Sequence, residues 1–84
     1  MNLAATVGHD SEVGDGVTIS PHADVMGYAK VGDGCFLGSH AAILPSVRIG
    51  AGAVVGAGSA VVRNVAPRTT VLGVPAQLLF THSG

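Results

Sequence analysis

From Val7 onward every sixth residue is a branched aliphatic: Val7, Val13, Ile19, Val25, Val31, Leu37, Ile43, Ile49, Val55 and Val61. Four residues after each stands a small or medium side chain: Ser11, Val17, Ala23, Ala29, Cys35, Ala41, Val47, Ala53, Ser59 and Val65. Glycine often follows the aliphatic residue directly, at Gly8, Gly14, Gly32, Gly38, Gly50 and Gly56. A six-residue period matches neither the 3.6 of a helix nor the strict alternation of an ordinary strand. It is the period of a hexapeptide β-helix, in which each repeat supplies one short strand and one corner. Three repeats close a triangular coil of about 18 residues. The aliphatic residue then points inward and stacks on its counterpart one coil later, Val7 on Val25, Ile43 and Val61. The small residue shares a narrow interior, and glycine is expected to meet the corners' need for positive φ.

The pattern predicts an all-β, single-domain solenoid over residues 1–84, with coils over about 1–66 and a C-terminal cap over 67–84. "MNLAAT" starts one more hexapeptide, with Ala5 in the small slot. Pro67 and Pro75 are expected to break the rhythm. Leu78, Leu79 and Phe80 are expected to cover the last coil, because solenoid ends need covering. "THSG" reads as a frayed end.

Composition narrows the partners. Eighty-four residues form a small core, which usually needs a disulfide, a metal or partner chains. The single cysteine excludes an internal disulfide, and no zinc-finger spacing is present. Oligomerisation is the remaining source of stability. A net charge of −1 with 11% charged residues leaves no basic patch for nucleic acid or a membrane surface. No apolar run nears the ~20 residues of a membrane span. "MNLAATVGHD" has neither the basic flank nor the apolar core of a signal peptide. The expected compartment is the cytoplasm.

The stretches "ATVGHDSEVGDGVTISPHADVMG", "VGDGCFLGSHAAILPSVRIG" and "VVGAGSAVVRNVAP…VLGVPA" resemble the hexapeptide acyltransferases. Within these, they are most similar to the sialic acid O-acetyltransferase and nucleotide-sugar N-acetyltransferase family. The likeness covers roughly residues 4 to 79. It implies a left-handed parallel β-helix, an acetyl-CoA co-substrate, a sugar-like acceptor and a homotrimer. Members of that family normally carry an N-terminal nucleotide-sugar-binding domain ahead of the helix, which these residues do not supply.

His9 falls two residues after Val7, at an outward corner. The resemblance makes it the general base that takes a proton from the attacking hydroxyl or amine. Imidazole suits that task because it exchanges protons near neutral pH. Asp10 would hold the imidazole, although an Asp at a corner also serves as a turn residue. Gly27 occupies the same corner one coil on, and the resemblance gives its N–H to the thioester oxygen. Thr18, Ser39 and Ala57 match positions that line acetyl-CoA from a neighbouring chain. The family often has His where this chain has Thr18.

Other features compete with that reading. "GAGAVVGAGSAVV" is no dinucleotide fingerprint, since no strand-to-helix G-x-G-x-x-G is present. His22 and His40 differ by 18 and stack, as metal ligands could; the γ-class carbonic anhydrases, a further alternative, share the β-helix and use three His at a subunit interface. Those enzymes place two His five residues apart, a spacing absent here, so no metal is expected. Cys35 takes an inward slot and reads as packing. All five acids precede residue 34 and all four bases follow residue 29. Arg63 lies in the His9 corner three coils away, roughly 14–15 Å, the reach from a thioester to the CoA phosphates. A non-catalytic trimeric scaffold lacking its substrate domain is the alternative function.

Overall fold

A computed structural model describes residues 5–82 of the chain, so the first four residues of "MNLAAT" and the end of "THSG" lie outside it. Ten two-residue strands follow one another at six-residue intervals. They run β1 (Thr6–Val7), β2 (Glu12–Val13), β3 (Thr18–Ile19), β4 (Asp24–Val25), β5 (Lys30–Val31), β6 (Phe36–Leu37), β7 (Ala42–Ile43), β8 (Arg48–Ile49), β9 (Val54–Val55) and β10 (Ala60–Val61). They stack in parallel with a shift of three strands, giving faces β1-β4-β7-β10, β2-β5-β8 and β3-β6-β9. The result is a left-handed β-helix of about four turns. Among the described residues, no helix is long and apolar enough to cross a membrane.

The register is the one the period predicts. Val7 pairs with Val25, Val25 with Ile43, and Ile43 with Val61. Val13, Val31 and Ile49 form the second column, and Ile19, Leu37 and Val55 the third. The small slots fill the remaining interior: Ala23, Ala29, Cys35, Ala41 and Ala53 are buried, and Ala5 packs against the same core. Ser59 is buried too, and its hydroxyl accepts the Gly73 N–H at 3.0 Å. No buried polar side-chain atom lacks a partner among the described residues.

Glycine serves the coil in two ways, and the expectation covered only one. Positive φ falls on the second corner residue, filled by Gly16, Gly34, Gly52 and Gly58 in four corners. The glycines that follow the aliphatic residue do not have positive φ. They are small because the next coil presses on them, with its backbone at Gly8, Gly32, Gly38 and Gly50 and with the Leu72 side chain at Gly56. A Cβ at Gly8 would stand 2.6 Å from the Gly27 nitrogen, and one at Gly38 the same distance from the Ala57 nitrogen.

The rhythm does not stop at Pro67. After Val61 the chain takes a four-residue step, so that Val65 bridges to Ile49 and joins the aliphatic column rather than a small slot. Pro67 then occupies an ordinary first corner position, with Arg68 in the positive-φ slot. β11 (Thr69–Leu72) adds to the third face in parallel, Val71 on Val55. The chain turns at Gly73, and a cis Val74–Pro75 bond lies in the turn. The turn crosses β10, with Gly73 O accepting from Ala60 N at 3.0 Å and Ala76 N donating to Ala60 O at 2.8 Å. This crossing, not the apolar tail, lies over the last coil. β12 (Gln77–Thr81) instead pairs antiparallel with β11, and Leu78, Leu79 and Phe80 are exposed. At the other end Val7 and Val13 remain 39% and 36% exposed.

Candidate active site

His9, Asp10, Gly27, Ser39, Ala57 and Arg63 all lie at the corners. At seven corners the second residue's N–H donates to the first corner residue of the preceding coil, as Tyr28 N does to His9 O at 3.0 Å and Ser46 N to Gly27 O at 3.1 Å. This bond locks successive corners in a column. His9, Gly27, Pro45 and Arg63 therefore share one edge of the prism, each a coil apart.

His9 stands on that edge with its side chain 82% exposed and its Nε2 2.8 Å from Asp10 Oδ2. With Nε2–H donating to the carboxylate, Nδ1 keeps the free lone pair. Asp10 can do this because its positive φ of 56° turns it back beside the preceding residue, a conformation Asp tolerates better than most. A Cβ at Gly27 would lie 3.3 Å from His9 O. Among the described residues nothing engages the Gly27 N–H. The neighbouring edge shows what such an N–H can hold, since Asp15 N donates to the Asp33 carboxylate at 2.8 Å. A corner amide of this type can therefore donate to a negatively charged oxygen.

The remaining candidates fall elsewhere. Thr18 lies on β3 and faces outward. Ser39 and Ala57 share the edge that follows the third face, and Gly58 N donates to Ser39 O at 2.8 Å. One chain therefore does not bring Thr18, Ser39 or Ala57 to the His9 edge. Arg63 lies at the far end of the His9 edge. With Val62, Pro75, Ala76 and Gln77 it lines a shallow cavity of about 180 Å³. Among the described residues Arg63 and Arg68 form no ion pair, whereas Glu12 pairs with Lys30 at 3.2 Å. The sequence reading missed the turn residues beside Arg63 and also Tyr28, whose ring meets His9 with centroids 5.9 Å apart at 77°. Tyr28 is one coil beyond Asp10, and that spacing was the available signal.

His22 and His40 do stack, with centroids 4.8 Å apart and planes at 17°. Parallel rings aim their lone pairs side by side instead of toward one point. Among the described residues no group of three metal-capable side chains is found. Cys35 points inward, its thiol donating to Gly50 O at 3.1 Å, and burial pushes its pKa up.

Residues 28–63 match the family described as bacterial transferase hexapeptide (six repeats). The match falls on the hexapeptide repeats that build the β-helix. Over 94% of its length, this hexapeptide-repeat chain superposes on a histidine-to-asparagine mutant of perosamine N-acetyltransferase from Caulobacter crescentus. That structure is in complex with CoA and GDP-perosamine, and the match has 37% identity and a TM-score of 0.92. It likewise matches the acetyltransferase domain of PglB from Neisseria gonorrhoeae FA1090 in complex with acetyl coenzyme A, at 36% identity over 93% of the chain with a TM-score of 0.91. WeeI from Acinetobacter baumannii AYE matches at 36% identity over 89%, with a TM-score of 0.86. The chain spans 38% of the length of each of these three proteins. No curated protein matches it by sequence.

Proposed function

We propose that this β-helix is the catalytic part of an acetyl-CoA-dependent acetyltransferase acting on an amine or hydroxyl of a sugar or nucleotide-sugar. The observation that carries the reading is the His9–Asp10 pair beside the unengaged N–H of Gly27, on one edge of the prism. Structural neighbours holding CoA or acetyl-CoA support it.

The chemistry follows from those groups. The acceptor's lone pair attacks the thioester carbonyl carbon, and its proton passes to Nδ1 of His9. Asp10 accepts the Nε2–H and leaves Nδ1 to take the proton. The carbonyl oxygen becomes an oxyanion, which the Gly27 N–H stabilises. The C–S bond then breaks, and the imidazolium returns its proton to the departing thiolate. Arg63 takes the CoA phosphates. The cofactor lies between chains of a homotrimer, with Thr18, Ser39 and Ala57 of a neighbouring chain along its other side. Support for the trimer is geometric, because the His9 and Ser39 edges of one chain are different edges of the triangle.

Two substitutions separate the roles. His9→Ala is expected to lower acetyl transfer about 10²–10⁴-fold while acetyl-CoA still binds. Arg63→Ala is expected to weaken cofactor binding about fivefold, an effect that fades with salt. Transfer to a panel of amino- and hydroxy-sugars, measured beside cofactor affinity, checks both. Unchanged turnover in His9→Ala contradicts the mechanism. The second reading is a non-catalytic trimeric scaffold. It predicts no specific heat on titration with acetyl-CoA.

A further inference from the structure

The His9 imidazole is strongly exposed, and only two contacts hold it among the described residues. One is Asp10, at 2.8 Å. A solvent-exposed ion pair is weak and leaves long side chains mobile, so Asp10 alone does not fix the ring's direction. The other contact is the Tyr28 ring, 5.9 Å away between centroids and at 77°. That is the edge-to-face arrangement aromatic rings prefer.

Tyr28 is an unusual occupant of its position. It has φ of 62°, in the slot that glycine fills at Gly16, Gly34, Gly52 and Gly58 and that Asp10, His22, His40, Ser46 and Arg68 fill at other corners. A bulky aromatic residue in this region is a backbone outlier. Burial does not account for it, since the residue is 58% exposed. Strain without burial, located beside a candidate base, points to a role at the site. The backbone supplies the alignment. Tyr28 N donates to His9 O at 3.0 Å, so the two rings are held on adjacent coils with their main chains joined.

We propose that Tyr28 is a positioning residue that holds the His9 imidazole in its reactive orientation, at some expense in backbone strain. The proposal rests on the reading of His9 as the base. A ring held in place spends more time in the geometry that proton transfer requires. Tyr28 itself takes no proton, and its hydroxyl is not needed.

The test compares Tyr28→Gly with Tyr28→Phe in the full chain. Glycine relieves the backbone and removes the ring, while phenylalanine keeps the ring. Tyr28→Gly is expected to hold or raise Tm and to lower kcat about three- to tenfold, with KM for acetyl-CoA unchanged. Tyr28→Phe is expected to keep kcat within about twofold of the parent. The imidazole C–H resonances of His9, read by NMR, should move in Tyr28→Gly and stay in Tyr28→Phe. Resonances unaffected by Tyr28→Gly overturn the proposal, as does a lowered Tm with unchanged kcat. If the parent protein transfers acetyl to no acceptor, the base reading fails. The resonances then still decide whether Tyr28 holds the ring.

Discussion

Gly38 has a backbone conformation open to any residue, yet a Cβ there would stand 2.6 Å from the Ala57 nitrogen and 2.9 Å from its Cα. Gly58 is the reverse: a Cβ would meet nothing within 4 Å, but φ is 71°. Gly38→Ala must push two coils apart and is expected to cost about 1–3 kcal/mol, as overpacking does. Gly58→Ala is strained only locally and is expected to cost about 1 kcal/mol. Urea midpoints of the two variants should rank them in that order. Cys35 makes a prediction about pH. Burial is the main reason its thiol is raised above the ordinary range of a free cysteine. The folded chain therefore holds this proton more tightly than the unfolded chain does. The associated stability is complete below the unfolded value and disappears as pH rises through the raised one. Stability measured from neutral to alkaline pH should fall less steeply in Cys35→Ala than in the parent. At this scale the identities of His9, Asp10 and Gly27 were legible as a corner set, because residues 18 apart share an edge in any such coil. Asp10 was expected beside the His9 ring; the Tyr28 contact was not, since spacing puts Tyr28 one coil beyond Asp10 but does not encode its side-chain direction at a positive-φ corner.

The strands differ sharply in what their side chains contribute. Leu37 on β6 is fully buried, whereas Leu79 on β12 is 55% exposed. Leu37→Ala should lower stability by about 2–5 kcal/mol. Leu79→Ser should change it by less than about 0.5 kcal/mol in the isolated chain. Chemical denaturation at low protein concentration checks the contrast, and equal losses would mean that β12 is buried after all. The sequence reading placed β1 to β10 in their observed register, because a fixed period determines which residues stack. It lost the thread at Val65. Valine suits either the small or the aliphatic slot, so a two-residue contraction leaves no mark on the pattern. Leu78, Leu79 and Phe80 misled for a related reason. An apolar triplet announces burial, but not whether its own chain or another one covers it.

Across the whole molecule the charges follow the axis. The acids lie in the early coils, and Arg63 and Arg68 stand unpaired near the other end among the described residues. The faces are unlike one another. The second carries the Glu12–Lys30 pair and Arg48, while the third presents Phe36 outward. The His9 edge and the Ser39 edge never meet within one prism, so a cofactor touching both must lie between chains. A crystal structure of the protein with acetyl-CoA tests this claim most directly. The account predicts a trimer with the thioester against His9 and the Gly27 N–H of one chain. Ser39 and Ala57 of a neighbouring chain should line the cofactor's other side, and the phosphates should lie toward Arg63. Acetyl-CoA held away from the His9 edge, or enclosed by one chain alone, would contradict it.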